Sequence, residues 1–126
     1  MSFSNAFETT VLTWAFTTSS ATRPTAWHLA LFTSDPAEDA SGTEVSGGAY
    51  ARQAATFTVS GNTASNSGAI EYPTATAGYG TVSHVGVFDA SSGGNLISYA
   101  ALTTSKTIDT GDVFRVPAGD LDITLD

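Results

Sequence analysis

The stretch GTVSHVGVFDASSGGNLISYAAL, residues 80–102, contains two apolar runs separated by a turn motif. Its first run alternates with period 2, which is typical of a β-strand. One face of that run carries Val82, His84, Gly86 and Phe88, and the other carries Val85 and Val87. The motif SSGGN favours a turn, because glycine adopts positive φ without strain. The pattern therefore predicts an antiparallel hairpin, with LISYAAL as its second strand.

Further strands are predicted on both sides of this hairpin, at residues 26–34, 49–59, 69–72 and 120–126, with another turn at 109–112. In the first of these stretches, one face carries Trp27, Leu29 and Leu31, and the other carries His28, Ala30 and Phe32. In the last, we predict that Leu121, Ile123 and Leu125 point inward and that Asp122, Thr124 and Asp126 point outward.

These strands together predict the fold class. About seven short strands with turns between them are typical of an antiparallel β-sandwich or a jelly-roll-like domain. No repeat with a period of 20 to 50 residues is present, which argues against a propeller or solenoid. We therefore predict an all-β fold with a single β-sandwich domain over residues 26–126.

The N-terminal residues follow a different period and predict a short helix. Apolar side chains recur three and four residues apart, which is one helical face: Phe3, Phe7, Val11 and Trp14. Asn5 and Glu8 have the spacing of a capping box. We predict an N-terminal helical arm over residues 1–18. Two interpretations stay open: the helix packs against its own sandwich, or it docks on a neighbouring subunit or a larger assembly.

An acidic loop follows the strand predicted at residues 26–34. It carries four carboxylates within ten residues: Asp35, Glu38, Asp39 and Glu44. Calcium-binding loops place acidic residues at alternate positions and a glycine at the sixth position. Counted from Asp35, the third position is Ala37 and the sixth is Ala40, so the pattern is not met. The loop is therefore predicted to be an exposed connection, whose length and acidity serve contact with a neighbouring molecule.

Composition narrows the class of partner. The chain has 126 residues and a net charge of −8, from twelve acidic and four basic side chains, which argues against binding to nucleic acid.

Cysteine is absent, so disulfides, thiolate metal sites and cysteine nucleophiles are excluded. No apolar run approaches the ~18 residues of a membrane span, and the N-terminus lacks the basic region of a signal peptide. We expect neither membrane association nor export.

Motifs of catalysis are missing from the sequence. There is no G-x-S-x-G, phosphate-binding loop or G-x-G-x-x-G. His28 and His84 are both mid-strand, and two ligands at unknown separation indicate a metal only weakly. We expect no catalytic residue, metal or cofactor, and hence no enzyme. A small β-sandwich hydrolase that depends on one of the histidines stays as an alternative.

Three stretches together resemble a known family. They are HLALFTSDPAEDASGTEVSGGAYARQAATF, YGTVSHVGVFDASSGGNLISYAALTTSKTIDTGD and VPAGDLDITLD, at residues 28–57, 79–112 and 116–126. The chain resembles the small virion proteins of tailed bacteriophages that are labelled head decoration (cement) proteins or tail-fibre proteins. The resemblance covers nearly the whole chain. It implies a protein made in the bacterial host cytoplasm and carried on the virion, and it implies no catalytic residues.

The size and the lack of repeats in the chain favour the decoration role. A fibre shaft needs a long chain with repeating units, whereas this chain is short and unrepeated. A cement protein is a small folded block that adds many weak contacts to a lattice. The expected partners are the major capsid protein or other virion proteins and further copies of the chain, as dimers or trimers. The alternative is a tail protein that binds a receptor or glycan through exposed aromatic residues: Tyr50, Tyr72, Tyr79 and Tyr99.

Overall fold

The structure is a computed structural model that describes residues 1–125. Its one helix is α1 (Asn5–Phe16), and its strands are β1 (Ser2–Phe3), β2 (His28–Phe32), β3 (Gln53–Ala54), β4 (Phe57–Ser60), β5 (Thr63–Asn66), β6 (Ile70–Glu71), β7 (Gly80–Phe88), β8 (Leu96–Ile108), β9 (Arg115–Val116) and β10 (Asp122–Thr124). Within this part of the chain, no helix has the length and apolarity needed to cross a membrane.

The predicted hairpin forms the centre of a five-stranded sheet with the order β1-β8-β7-β2-β3, here called the main sheet. Its neighbouring strands are antiparallel, with Val85 opposite both Ala100 and Leu31. The turn is fixed by Asp89, whose carboxylate accepts the Asn95 backbone N–H at 2.7 Å. The hairpin prediction is confirmed, and β8 continues beyond the predicted stretch to Ile108.

Both faces of the main sheet are covered, since alternate residues of β2 and β7 enter different clusters. Leu29, Leu31, Val85 and Val87 belong to the large core. A smaller cluster on the opposite face contains Ala30, Phe32, Phe88 and Leu96. Gly86 permits this second packing, because a Cβ at that position would lie 2.9 Å from Leu96 Cδ1 and 3.1 Å from Phe32 Cε2.

A second layer covers the large core. It consists of a three-stranded sheet, β10-β5-β4, and the pair β6-β9. Tyr72, Phe114 and Leu121 from this layer join the main-sheet residues in one continuous core, and Phe57 and Ile123 pack against it. The fold is thus all-β, with antiparallel sheets in a sandwich-like arrangement and one short helix, as the sequence predicted.

The strand predicted at residues 49–59 is wrong as a single element. Ala49 has a positive φ of 69°, and the Tyr50 N–H bonds back to the Gly47 carbonyl at 2.9 Å, so a turn occupies its first residues. The remainder splits into β3 and β4, which belong to different sheets. β5 was not predicted, because its sequence TASN is polar and only Asn66 in it is buried.

The C-terminal alternation is confirmed in part. Leu121 is buried and Ile123 is half-buried, as predicted. The inward placement of Leu125 is wrong, because its side chain is 56% exposed. β10 ends at Thr124, so the pleat no longer directs Leu125 into the core. Asp126 lies outside the described residues.

Candidate functional site

The start of α1 is built into the main sheet. β1 pairs with β8, which places Phe3 opposite Ser98. Ser4 is buried, and its N–H donates to the Ile97 carbonyl at 2.9 Å while its hydroxyl donates to the Leu96 carbonyl. Ser4 Oγ also accepts the Phe7 N–H at 3.2 Å, which makes Ser4 the N-cap of the helix.

The predicted cap at Asn5 is therefore wrong by one residue. Asn5 is the first helical residue, and its N–H bonds to the Glu38 carbonyl at 3.1 Å. Ser4 takes the cap position because its extended backbone comes directly from β1. The helix thus begins at a fixed place, beside the acidic loop.

The predicted apolar face lines a groove of about 540 Å³ between α1, the chain at residues 21–24 and Leu125, which follows β10. We call this surface the groove and define it by Phe3, Phe7, Val11, Trp14 and Leu125. Phe3 lies in β1 and not in the helix, so that part of the prediction is wrong. Its ring still meets Phe7 edge to face, with centroids 5.0 Å apart.

The opposite side of α1 carries two apolar residues that the sequence analysis missed. Leu12 is 58% exposed and Phe16 is 81% exposed. At 3.6 residues per turn they lie about 140° and 180° around the helix from Phe7. They are one turn apart, and we call this pair the knob. The i, i+4 spacing of two apolar residues away from the predicted face was the signal that could have identified it.

No residue of α1 is buried, although the helix is apolar on two sides. Trp14, at the rim of the groove, is 72% exposed. Large apolar side chains exposed together on a surface are typical of interaction sites. The surface of α1 is therefore the part of the described chain best suited to contact another protein.

The four loop carboxylates have different surroundings. Asp35 accepts the Ala37 N–H at 2.9 Å, and Asp39 accepts the Ser41 N–H at 3.1 Å, so both stabilise local turns. Hydrogen bonding from Ser41 lowers the pKa of the Asp39 carboxyl. Glu38 is exposed. These three carboxylates form an exposed acidic surface close to the start of α1.

Glu44 departs from the predicted exposure. Its carboxylate forms a bidentate ion pair with Arg52, at 2.8 Å to Nη2 and 2.9 Å to Nε, and accepts the Tyr50 hydroxyl at 2.6 Å. Burial raises the pKa of the Glu44 carboxyl, but the Arg52 and Tyr50 hydrogen bonds outweigh it, so this pKa is lowered overall. Burial and the bond to Glu44 raise the pKa of the Tyr50 hydroxyl.

Arg52 connects this ion pair to the turn of the hairpin. Its Nη1 donates to the carbonyls of Ala90 and Gly93 at 3.1 and 2.8 Å. The guanidinium also lies 3.7 Å from the centroid of the Phe88 ring. Glu44 and Arg52 thus cover the smaller cluster and hold two loops together. Arg52 was not recognisable from the sequence as part of this cluster, because no local pattern pairs it with Glu44.

The histidines do not face each other. His28 is opposite Phe88, and His84 is opposite Phe32, four residues further along the same strand pair. At ~3.3 Å per residue the two positions are about 13 Å apart. His84 Nδ1 lies 2.8 Å from Ser83 Oγ. Within residues 1–125, no group of three or more His, Cys, Asp or Glu side chains is placed to hold a metal ion.

The tyrosines proposed as a glycan platform are mostly enclosed. Tyr72 and Tyr79 are buried, which contradicts the expected exposure. Tyr50 is half-buried and stacks on Tyr72, with centroids 5.9 Å apart, and meets Tyr79 edge to face at 5.8 Å. Only Tyr99 of the four lies outside this stack, and it too is half-buried.

Comparison with known families identifies the family to which the chain belongs. A family model described as "Podophage GP4 fiber I protein gp80" matches residues 2–124, which include α1 and every strand. The chain is therefore a structural protein of tailed-phage virions. It belongs to the gp80 fibre family, which confirms the resemblance to small phage virion proteins. No curated protein matches the chain.

Proposed function

We propose that this protein is a non-enzymatic subunit of the tail-fibre apparatus, attached to other virion proteins through the surface of α1. The observation that carries this proposal is the exposure of large apolar side chains on a helix whose start is fixed to the main sheet. The fibre location is supported by the description of the family.

Apolar surface is exposed on two sides of α1. Aromatic side chains bury ~150–250 Å² each. Trp14 is 72% exposed on the groove side and Phe16 is 81% exposed on the knob side, so each side leaves on the order of 150 Å² of one ring uncovered, with Leu125 and Leu12 beside them. Apolar side chains grouped on an exposed helix are suited to contact with another protein. Contact with another virion protein would remove this surface from water.

A structural role also fits the chemistry of the polar residues. Asp35 and Asp39 bond to backbone N–H groups, and Glu44 pairs with Arg52. These three carboxylates stabilise turns and loops. The two histidines lie far apart, and we assign none of these residues a part in a reaction. With a net charge of −8, the expected partners are proteins and not nucleic acid.

A second candidate is decoration of the head, with the major capsid protein as partner. It is favoured by the large core that joins the two layers, since a compact block suits a lattice better than a fibre shaft does. In this arrangement α1 and the exposed carboxylates Asp35, Glu38 and Asp39 would contact neighbouring capsid subunits. Neither candidate requires a cofactor.

Gold-labelled antibody against this protein, followed by cryo-electron microscopy of purified virions, tests both candidates. We expect label and matching density at the tail fibres. Label over the head lattice would replace the fibre assignment with decoration. Virions without label, from an infection in which the antibody detects the protein in the lysate, would overturn both.

A further inference from the structure

We propose that copies of this chain associate head to tail, with the knob of one copy seated in the groove of the next. The proposal rests on the proposed function, in which α1 is an assembly surface, and names a second copy of the chain as a partner of that surface. It assigns different roles to the two sides of the same helix.

The two surfaces match in shape and polarity. The knob is two apolar side chains one helical turn apart, Leu12 and Phe16, which project from the free side of α1. The groove is a cleft of about 540 Å³ with mainly apolar walls, within the ~300–1,000 Å³ range of pockets that enclose a small ligand. It therefore has room for the side chains of the knob.

The distribution of apolar and polar side chains also fits a self-contact. A standard interface has an apolar centre and a polar rim. The knob supplies the apolar centre on one copy, and the groove supplies it on the other. Three threonines on the side of α1 between the two surfaces supply polar groups at the edge of the contact: Thr9, Thr10 and Thr13.

Charge favours this surface for contact between two copies. Each copy carries a net charge of −8, so most approaches between copies are repulsive. Glu8 is the only charged residue of α1, and residues 9–16 carry none. Phe16 is the last helical residue, where carbonyl groups give the helix end a partial negative charge. Arg23 lines the groove and supplies the complementary positive charge.

The position of the two surfaces determines the symmetry of the contact. The knob and the groove lie on opposite sides of one helix, so each copy offers a free knob after its groove is filled. Such a contact is heterologous, and it produces a closed ring or an open array, not an isologous dimer.

Sedimentation velocity of the full chain over a range of concentrations tests the proposal. We expect wild type to self-associate. A knob variant, Leu12→Gln with Phe16→Gln, and a groove variant, Trp14→Gln with Leu125→Gln, should each raise the dissociation constant at least about 30-fold. Glutamine keeps helix propensity close to that of leucine. A control variant, Val59→Gln with Val113→Gln, removes exposed apolar residues from strand and loop positions and should behave as wild type.

Mixing the two variants isolates the head-to-tail contact. The knob variant keeps its groove, and the groove variant keeps its knob, so an equimolar mixture should form a one-to-one dimer that cannot grow further. Circular dichroism confirms that each variant is folded before mixing. A mixture that stays monomeric, or a control variant that dissociates as strongly as the other two, would overturn the proposal.

The result can be separated from that of the virion experiment. Monomeric wild type at high concentration, together with label on the tail fibres, would overturn the self-association and leave the proposed function standing. Self-association in solution by a protein that is missing from virions would overturn the proposed function and leave the self-association standing.

Discussion

The main sheet and α1 both carry regularly spaced apolar side chains, but they use them differently. Leu31 in β2 is fully buried, whereas Leu12 in α1 is 58% exposed. Alternate residues of the sheet enter two clusters, one on each face, while the helix buries none of its residues. The sheet therefore stabilises the fold, whereas the helix leaves apolar side chains exposed to solvent.

The largest expected effect comes from deleting the same side chain in the two regions. Leu31→Ala should lower the free energy of unfolding by about 2–5 kcal/mol, because it leaves a cavity in the core. Leu12→Ala should change it by less than about 0.5 kcal/mol, since little of its surface is buried. Urea unfolding followed by circular dichroism measures both. Equal losses would contradict the division between fold and assembly surface.

Arg52→Lys is expected to cost about 1–3 kcal/mol of stability. The Arg52 side chain is only 7% exposed, and its fork bonds Glu44 while reaching the carbonyls of Ala90 and Gly93. Lysine cannot form both sets of bonds, because its ammonium group is a compact charge on one nitrogen and lacks the planar fork of the guanidinium. Arg115→Lys on the exposed surface is the control and should leave the urea midpoint unchanged.

Ser4→Ala should cost about 1–2 kcal/mol. The change removes the N-cap acceptor for Phe7 and the hydroxyl bond to the Leu96 carbonyl, at a buried position. Thr9→Ala removes an exposed side-chain bond within the helix and should be nearly neutral. Urea unfolding of the two variants shows whether the start of α1 belongs to the fold. A neutral Ser4→Ala would mean that it does not.

Stability should also depend on pH through Glu44. Its pKa in the folded protein lies below the ordinary value of 4.5, so the folded state holds this proton less tightly than the unfolded chain. The resulting stabilisation is present above about pH 4.5 and is lost as pH falls through the lowered value. Urea midpoints of Glu44→Gln should therefore fall less steeply on acidification than those of wild type. Glu38→Gln, at an exposed position, is the matched control.

The smallest effect on folding is expected from Asp35→Asn, Glu38→Gln and Asp39→Asn combined. The asparagines keep the side-chain oxygens that accept backbone N–H groups, so the unfolding free energy should change by less than about 0.5 kcal/mol. The salt dependence of assembly should change, because the exposed charge near α1 is removed. Sedimentation velocity at low and high salt measures this. An unchanged salt dependence would leave these residues as a simple connection.

Much of the fold was predictable because its central strands follow local rules. The hairpin of β7 and β8 has period-2 alternation and a glycine-rich turn, and both signals lie within 29 residues, Gly80 to Ile108. β5 was not predictable, because it is polar and gains its pairing from β4 and β10. The break between β3 and β4 arises because the two strands join different sheets. A local sequence pattern does not show which sheet a strand will join.

For the candidate site, sequence identified one side of α1 and missed the other. Phe7, Val11 and Trp14 were recognisable from helical spacing, and the structure brings them together with Phe3 in the groove. The exposure of Leu12 and Phe16 was not predictable, because it depends on where the sheet and the chain at residues 21–24 leave the helix uncovered. The partial burial of Glu44 was not predictable either, because it depends on the ion pair with Arg52. The sequence alone groups Glu44 with the exposed carboxylates.

Several features are recognisable from the sequence alone: the all-β class, the central hairpin, the short N-terminal helix and the resemblance to a phage virion family. They are recognisable because periodicity, turn residues and ordered motifs involve residues close together in the chain. Other features require the folded structure: Ser4 fixes the helix to β8, Arg52 removes Glu44 from the acidic surface, and α1 stays uncovered on two sides. Those features depend on contacts between residues up to 92 positions apart. A local sequence pattern gives no information about such contacts.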